Sequence, residues 1–522
     1  MTIPEVLSRI LAQPPGNPAL GIGGRTLSYG ALVTEAGALA RVVAEADCGA
    51  LGVAGLLAAR SLTAYAGALS ALLAGRGYVP LNPGFPTERT ASMLVQSGTR
   101  VLIVGREGLA ALAPLLARAP ASMTVIGPEL DGFDGLEAVA PGHRFLTRRQ
   151  LPAGGPPAVP PGGAGTIAYL LFTSGSTGRP KGVPVSFGNL ASYLDHVVGR
   201  HGIGPGDRVS QTFDLTFDLS VHDLFVTWSA GACLCPLPEA ALLAPARFIR
   251  EAGLSVWFSV PSIPMLMQRT RTLRPGLFPG LRLSLFCGEA LPHCLAAAWA
   301  EAAPHSTLIN LYGPTEATIA ITEHRWTRAG VARHGIVPLG TVFPGQRAAL
   351  LAEDGAVVAG AGRGELCLSG PQVTAGYLDD PGKTARQFIA LSGTGGLWYR
   401  TGDAVERDPD GCLYFLGRVD SQIKIMGHRI ELQDVDHALR EAAGSDLAVA
   451  VPWPETADGI RGLVGCVVPA GAVDAAALLA ACRRRLPDYM VPARIVFFED
   501  LPLNSNGKID RKALRARLEA GS

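Results

Sequence analysis

Up to about Gly417 the chain alternates short apolar runs, bounded by glycine and proline, with longer stretches of helical periodicity. Buried strands separated by helix-length segments pair most readily as a parallel sheet covered by helices, so the pattern predicts layered α/β structure. At 522 residues the chain also exceeds what one hydrophobic core can organise, and two or more domains are expected. Beyond Gly417 the pattern changes to a charge-patterned unit. It has an expected helix over 433–442, strands over 447–451 and 463–468, and a further helix running to Arg485 with Asp474 as its N-cap. The reading is a large N-terminal domain of residues 1–417 and a small α+β C-terminal domain of residues 418–522. Proline and glycine crowd residues 152–165, which read as a surface linker.

Charge narrows the partners. Lys and Arg number 45 against 44 Asp and Glu, giving a net charge of +1 with scattered basic residues, and Arg483-Arg484-Arg485 is a short solvated cluster. Neither nucleic acid nor a membrane is expected as a partner. The apolar stretch 61–75, flanked by Arg60 and Arg76, is too short for an untilted membrane span and reads as a buried Ala/Leu helix. The N-terminus carries no charged-then-apolar leader pattern. Nine cysteines show no paired spacing, and Cys233-Leu234-Cys235 lacks a second pair, so neither zinc nor a disulfide framework is expected. A soluble cytoplasmic protein follows as the expectation, from a GC-rich bacterial genome if the alanine- and arginine-rich composition is a guide.

The segment Thr173-Ser174-Gly175-Ser176-Thr177-Gly178-Arg179-Pro180-Lys181-Gly182 leaves the end of the apolar run 167–172. Hydroxyls, glycines and one lysine placed there offer backbone N–H groups, O–H donors and a cation to a polyphosphate. A Walker loop requires G-x-x-x-x-G-K-[ST]; here Pro180 precedes the lysine and Gly182 follows it, so that template fails. A Gly/Ser-rich surface turn is the plainer alternative. The lysine argues against it, because this arginine-writing chain has only five lysines: Lys181, Lys383, Lys424, Lys508 and Lys512.

Further motifs follow in order: Leu27-Ser28-Tyr29, Gly77-Tyr78-Val79-Pro80-Leu81, Phe217-Asp218-Leu219-Ser220, Asn310-Leu311-Tyr312-Gly313-Pro314-Thr315-Glu316, Gly376-Tyr377-Leu378, Tyr399-Arg400-Thr401-Gly402-Asp403, Gly417-Arg418-Val419-Asp420-Ser421-Gln422-Ile423-Lys424 and Asn504-Ser505-Asn506-Gly507-Lys508-Ile509-Asp510. Together with the phosphate loop the series resembles the adenylate-forming (ANL) superfamily of acyl-CoA synthetases, peptide-synthetase adenylation domains and luciferases. The match runs from about residue 25 to 512. The resemblance implies a large adenylate-forming domain of layered α/β subdomains followed by a small mobile domain.

Adenylate formation aligns a carboxylate with the α-phosphate of ATP and neutralises charge as pyrophosphate leaves, a problem of positioning and electrostatics. The resemblance implies that Thr173, Ser174, Gly175, Ser176, Thr177, Gly178 and Lys181 hold the outer phosphates. Thr315 meets the α-phosphate and Glu316 ligates Mg²⁺ through a hard oxygen. Tyr312 stacks on adenine, Asn310 bonds its edge, and Gly288, Glu289 and Gly313 lie on the nucleotide side. Asp403 accepts the ribose hydroxyls with help from Arg418. Lys508 is implied as the main catalytic residue, bridging carboxylate and phosphate oxygens with a flexible point charge. Asp420 is the implied hinge of a two-pose cycle. The second pose presents the face from Lys424 to Gly427, where a glycine lets backbone approach a pantetheine arm.

The acid is the remaining variable. The resemblance lines its pocket with Asp218, Leu219, His222, Ser259, Leu285, Cys287, Leu311, Ile319 and Ala320. Acyl-CoA ligases have no need of a carboxylate there, whereas an α-ammonium cannot be buried unpaired. One anion and otherwise mid-sized neutral groups fit a small neutral amino acid. The segments 217–224, 286–292 and 315–318 resemble D-alanine–carrier protein ligases more than modular peptide-synthetase domains. His222 and Leu311 depart from that pattern, which leaves D-alanine, L-alanine, glycine and serine open. The fourteen residues after Lys508 are far fewer than a carrier domain needs, and the residues before 25 are not expected to form a condensation domain. Transfer in trans to a separate phosphopantetheinylated carrier protein, or to an aminoacyl group on one, is therefore expected, with natural-product biosynthesis as the favoured setting. An acyl-CoA ligase for a small carboxylic acid is the alternative, and an inactive adenylate-binding protein a third reading.

Overall fold

The computed structural model describes residues 2–119, 122–160, 162–174, 179–241, 244–330, 333–420, 422–456, 459–469, 473–502 and 509–520. Contacts divide the chain into two units. Met1–Pro83, Leu94–Leu171 and Gly182–Val419 form the first; Gly84–Met93, Phe172–Lys181 and Asp420–Ser522 form the second.

The first unit carries two large sheets. One has seven strands in the order Arg144–Thr147, Thr124–Gly127, Val101–Val104, Val53–Leu57, Gly77–Leu81, Ile167–Thr173, Lys181–Ser186, and its first six strands pair in parallel. The apolar run before the phosphate loop is thus a buried strand, as its Ala168–Leu171 burial requires. The expected Ala/Leu helix is Leu62–Leu73; Ser61 caps it through the Ala64 N–H at 3.2 Å, and every residue from Thr63 to Leu73 is buried.

The second sheet has nine strands and supplies the row of residues that matters for chemistry. Val256–Ser259, Leu283–Phe286 and Thr307–Tyr312 run in parallel, with Ser259 beside Phe286 and Phe286 beside Asn310. Their carboxyl ends therefore stop level with one another, the place where open α/β sheets bind ligands. A third, antiparallel sheet contains Trp398–Arg407 and Leu413–Arg418, in which Asp403 and Arg418 are direct cross-strand partners.

The second unit pairs Gln422–Ile425 with His428–Glu431 in a hairpin. The helix Leu432–Ala443 follows, closed by the left-handed Gly444. A three-stranded sheet of Ala448–Pro452, Leu463–Val467 and Arg494–Phe497 packs with helices Ala475–Arg483 and Arg511–Ala520. Asp474 caps the former through the Ala477 N–H at 3.0 Å. Among the described residues, no helix is long and apolar enough to cross a membrane.

Candidate active site

Asp218 stands at the N-terminus of Leu219–Ser229, a helix whose every residue is buried. It is only 8% exposed, and its Oδ2 has no partner among the described residues. Burial pushes its carboxyl up to about 6. The Thr315 hydroxyl opposes that rise, the Glu316 carboxylate adds to it, and the N–H groups of Ile319 and Leu219 oppose it further. An anion held in apolar surroundings with one empty acceptor is stabilised by a cation arriving from outside.

The backbone that faces Asp218 is itself strained. Thr318 and the β-branched Ile319 sit consecutively at φ 57° and 69°, a conformation that costs on the order of 1–3 kcal/mol per residue and persists only where neighbours impose it. Gln372 supplies part of that imposition: its Nε2 donates to the Ala320 carbonyl at 2.7 Å, while its backbone carbonyl accepts the Thr318 hydroxyl at 2.6 Å. Gly313 supplies another part, since a Cβ there would lie 2.6 Å from the Ala320 Cα. Close packing of the strained loop therefore already explains a glycine at 313.

The side chains of Leu219, Leu285, Cys287, Leu311, Ile319 and Ala320 all belong to the large hydrophobic cluster of the first unit, which also holds Tyr193 and Phe258. Ser259 accepts from the Trp257 indole at 2.9 Å and donates to the Val260 carbonyl at 3.0 Å. His222 lies one helical turn beyond Asp218. Its Nδ1 is 2.6 Å from the Tyr193 hydroxyl, and burial holds its pKa well below the ordinary value, so the ring is neutral. Tyr193 itself, an ordinary aromatic of a helix in the sequence, carried no signal of this contact.

Among the residues expected to meet the nucleotide, the Asn310 amide nitrogen donates to the Pro338 carbonyl at 2.9 Å, while its Oδ1 is buried without a partner among the described residues. An unfilled acceptor of this kind fits the amino group of adenine. The Tyr312 hydroxyl donates to Asp403 Oδ2 at 2.5 Å, and Arg418 donates to Asp403 Oδ1 at 2.5 Å and to the Thr401 carbonyl at 3.1 Å. Burial and the adjacent carboxylate push the Tyr312 phenol well above its ordinary pKa, so it stays a donor. Glu316 is fully buried in the turn Thr315–Ala317, and its Oε1 accepts the Tyr377 hydroxyl at 2.9 Å. Mg²⁺ takes one or two protein carboxylates and otherwise water and phosphate oxygens, so a single hard-oxygen donor here fits that ion. Tyr377 lies in the motif Gly376-Tyr377-Leu378, yet nothing in the sequence assigns it this contact. Glu289 accepts the Ser262 N–H at 2.9 Å at the start of helix Ser262–Arg269, beside Gly288 at φ 91°.

In the second unit, Thr173 Oγ1 is buried without a partner among the described residues, and Lys181 is buried. The Ser174 hydroxyl donates to the Arg429 carbonyl at 2.9 Å and accepts the Glu431 N–H at 3.1 Å. Asp420 accepts the Gln422 N–H at 3.0 Å in a local turn. Lys424, half-buried, sits across the hairpin from Arg429. Gly175, Ser176, Thr177, Gly178 and Lys508 lie outside the described residues. The structure therefore brings Asp218, Asn310, Tyr312, Thr315, Glu316, Asp403 and Arg418 into the first unit, and Thr173, Ser174, Lys181, Asp420 and Lys424 into the second.

Comparison with known proteins is consistent with this geometry. Residues 7–378 match the family model described as AMP-binding enzyme, and residues 434–508 match the AMP-binding enzyme C-terminal domain. The D-alanine–D-alanyl carrier protein ligase of Bacillus licheniformis is 30% identical over 99% of each chain. Among solved structures, the Vibrio cholerae adenylation domain AlmE, in complex with glycyl-adenosine-5'-phosphate, superposes with a TM-score of 0.91. It is 35% identical, with 99% of this chain and 97% of that one covered. The structure of IdnL7 gives 38% identity and a TM-score of 0.72, covering 100% and 99%.

Proposed function

The chain belongs to the AMP-binding enzyme family, and we propose that this ATP-dependent, AMP-forming ligase activates a small neutral amino acid and passes it to a carrier protein. The observation that carries the reading is the buried Asp218 carboxylate with its empty Oδ2, set among neutral side chains. A substrate ammonium would pair with it, and the lining residues that the resemblance names carry no second charge, which disfavours acidic or basic side chains. The relatives act in the same sense: one is named for D-alanine and its carrier protein, another holds a glycyl adenylate.

In this reading Asn310 and Tyr312 seat adenine and Asp403 takes the ribose. Thr315 contacts the α-phosphate, which lies between the nucleotide and the Asp218 pocket. The substrate carboxylate attacks the α-phosphorus, its P–O bond forms as the bond to pyrophosphate breaks, and the aminoacyl adenylate results. Glu316, oriented by Tyr377, would hold Mg²⁺, which would neutralise phosphate charge. The phosphate loop, with Thr173, Ser174 and Lys181, takes the leaving pyrophosphate, and Lys508 spans the two reacting anions.

Residues 1–417 act as the adenylation core and 418–522 as the mobile domain, with Asp420 as hinge. The second half-reaction hands the aminoacyl group in trans to a phosphopantetheinyl thiol, or to an amine already carried there, with Lys424 and Gly427 facing the arm. Natural-product biosynthesis is the proposed setting.

The test is ATP–pyrophosphate exchange over D-alanine, L-alanine, glycine, serine, β-alanine and acetate. Exchange confined to one or a few α-amino acids and lost in Asp218→Ala supports the reading. Exchange with acetate alone would replace it with a small-acid CoA ligase.

A further inference from the structure

The Tyr312 ring already has a place in the reading above, but its hydroxyl does not. Tyr312 and Asp403 lie 91 residues apart, on strands of two different sheets, and both are nearly sealed from solvent at 7% and 5% exposure. The phenol donates to one Asp403 oxygen and the Arg418 guanidinium to the other, both at 2.5 Å. Arg418 is held in turn by the Thr401 carbonyl at 3.1 Å, and the Asp403 N–H donates to the Thr401 hydroxyl at 3.0 Å. An ionised carboxylate offers about two acceptor positions on each oxygen. Here one position on each oxygen is filled by the protein. With both oxygens pinned the carboxylate cannot turn about its Cβ–Cγ bond, and it presents two side-by-side acceptors. That is the complement of two neighbouring cis hydroxyls.

We propose that the Tyr312 hydroxyl is a positioning group which, with Arg418, locks Asp403 as a two-pronged acceptor, so that the enzyme reads the 2′ and 3′ hydroxyls of its nucleotide as a pair. The inference rests on the reading of Asp403 as the ribose acceptor. It gives the tyrosine two separable tasks: the ring supports the base and the hydroxyl aims the carboxylate. Orientation matters most in a buried site, because a misaimed charged acceptor there is not compensated by water.

The experiment measures KM for ATP, 2′-deoxy-ATP and 3′-deoxy-ATP by pyrophosphate exchange in the full-length enzyme, alongside calorimetric binding of AMP and 2′-deoxy-AMP. In the wild type each missing hydroxyl should weaken binding by about tenfold or more, the worth of a hydrogen bond to a charged group. Tyr312→Phe keeps the ring. It should weaken ATP by about tenfold yet weaken the deoxy nucleotides much less, so the preference for the intact diol shrinks. Arg418→Gln should shrink the same ratio from the other oxygen, and it carries the test if Tyr312→Phe does not fold.

Equal weakening of all three nucleotides in Tyr312→Phe, or none, would overturn the inference and leave the hydroxyl a packing feature. Asp403→Asn separates the two levels. If it keeps the wild-type diol preference, the ribose reading itself fails; if it loses the preference while Tyr312→Phe and Arg418→Gln keep it, only the inference fails.

Discussion

Two buried aspartates in the first unit are provisioned in opposite ways. Asp403 has a protein donor on each oxygen, a phenol on one and a guanidinium on the other. Asp218 has an empty Oδ2, a carboxylate neighbour in Glu316, and a pKa pushed up to about 6 by burial. The difference follows from what each would bind. Neutral hydroxyls bring no charge, so the carboxylate that receives them must already be neutralised and aimed by the protein. An ammonium brings its own charge, and a protein cation already beside Asp218 would compete with it. On the proposed reading, the Asp218 site is left electrostatically incomplete until a substrate ammonium completes it, at a cost in stability. The gap between the ordinary 3.8 and about 6 corresponds to on the order of 3 kcal/mol at neutral pH.

The comparison breaks most visibly on removal of each carboxylate. Asp218→Asn should lower kcat/KM for the amino acid by about 10³-fold, the scale of an unpaired buried charge. The same variant should melt at a higher temperature than the wild type at pH 7, because it no longer buries an uncompensated anion. Asp403→Asn should instead raise the KM for ATP by about a hundredfold and leave the amino acid KM nearly unchanged, measured by the same exchange assay.

A milder contrast comes from pH. Asp218 has a folded pKa above its unfolded value, so its ionisation opposes folding. That penalty is absent below pH 3.8, grows towards about 6, and is complete above it. The unliganded protein should therefore gain stability from this group as pH falls from 7 to 5, a gain that Asp218→Asn abolishes in thermal melts. Over the same interval the amino acid KM should rise, approaching tenfold per unit below pH 6, because the protonated carboxyl cannot pair with an ammonium. A KM that stays flat from pH 7 to 5 would contradict the raised pKa. Smaller still, Gly313→Ala pushes a methyl to within 2.6 Å of the Ala320 Cα. It should cost about 1–3 kcal/mol in stability and weaken amino acid and ATP together, since it displaces the strained loop between them.

Much of this was legible in sequence where local pattern decides. The apolar run before the phosphate loop became the strand Ile167–Thr173, and the Ala/Leu stretch became the buried helix Leu62–Leu73. The Asp474 cap and the helix it opens were readable from spacing alone. What escaped were contacts made by register and tertiary approach. The link from Tyr312 to Asp403 depends on two sheets meeting, and the grip of Tyr377 on Glu316 spans 61 residues. The hold of Tyr193 on His222 is likewise a meeting of two helices. Nor did periodicity foretell that Gly84–Met93 and Phe172–Lys181 group with the C-terminal residues, because such grouping is a property of long-range contacts.

The central claim is that Asp218 makes this an enzyme for amino acids rather than for plain acids. Its most direct test compares alanine with propionate, the same carbon skeleton without the amine, in ATP–pyrophosphate exchange by wild type and Asp218→Ala. The account expects wild-type kcat/KM for alanine to exceed that for propionate by at least about 10²-fold, and the substitution to erase most of that preference. Equal use of the two acids by the wild type, or a preference for alanine that survives the loss of Asp218, would contradict it.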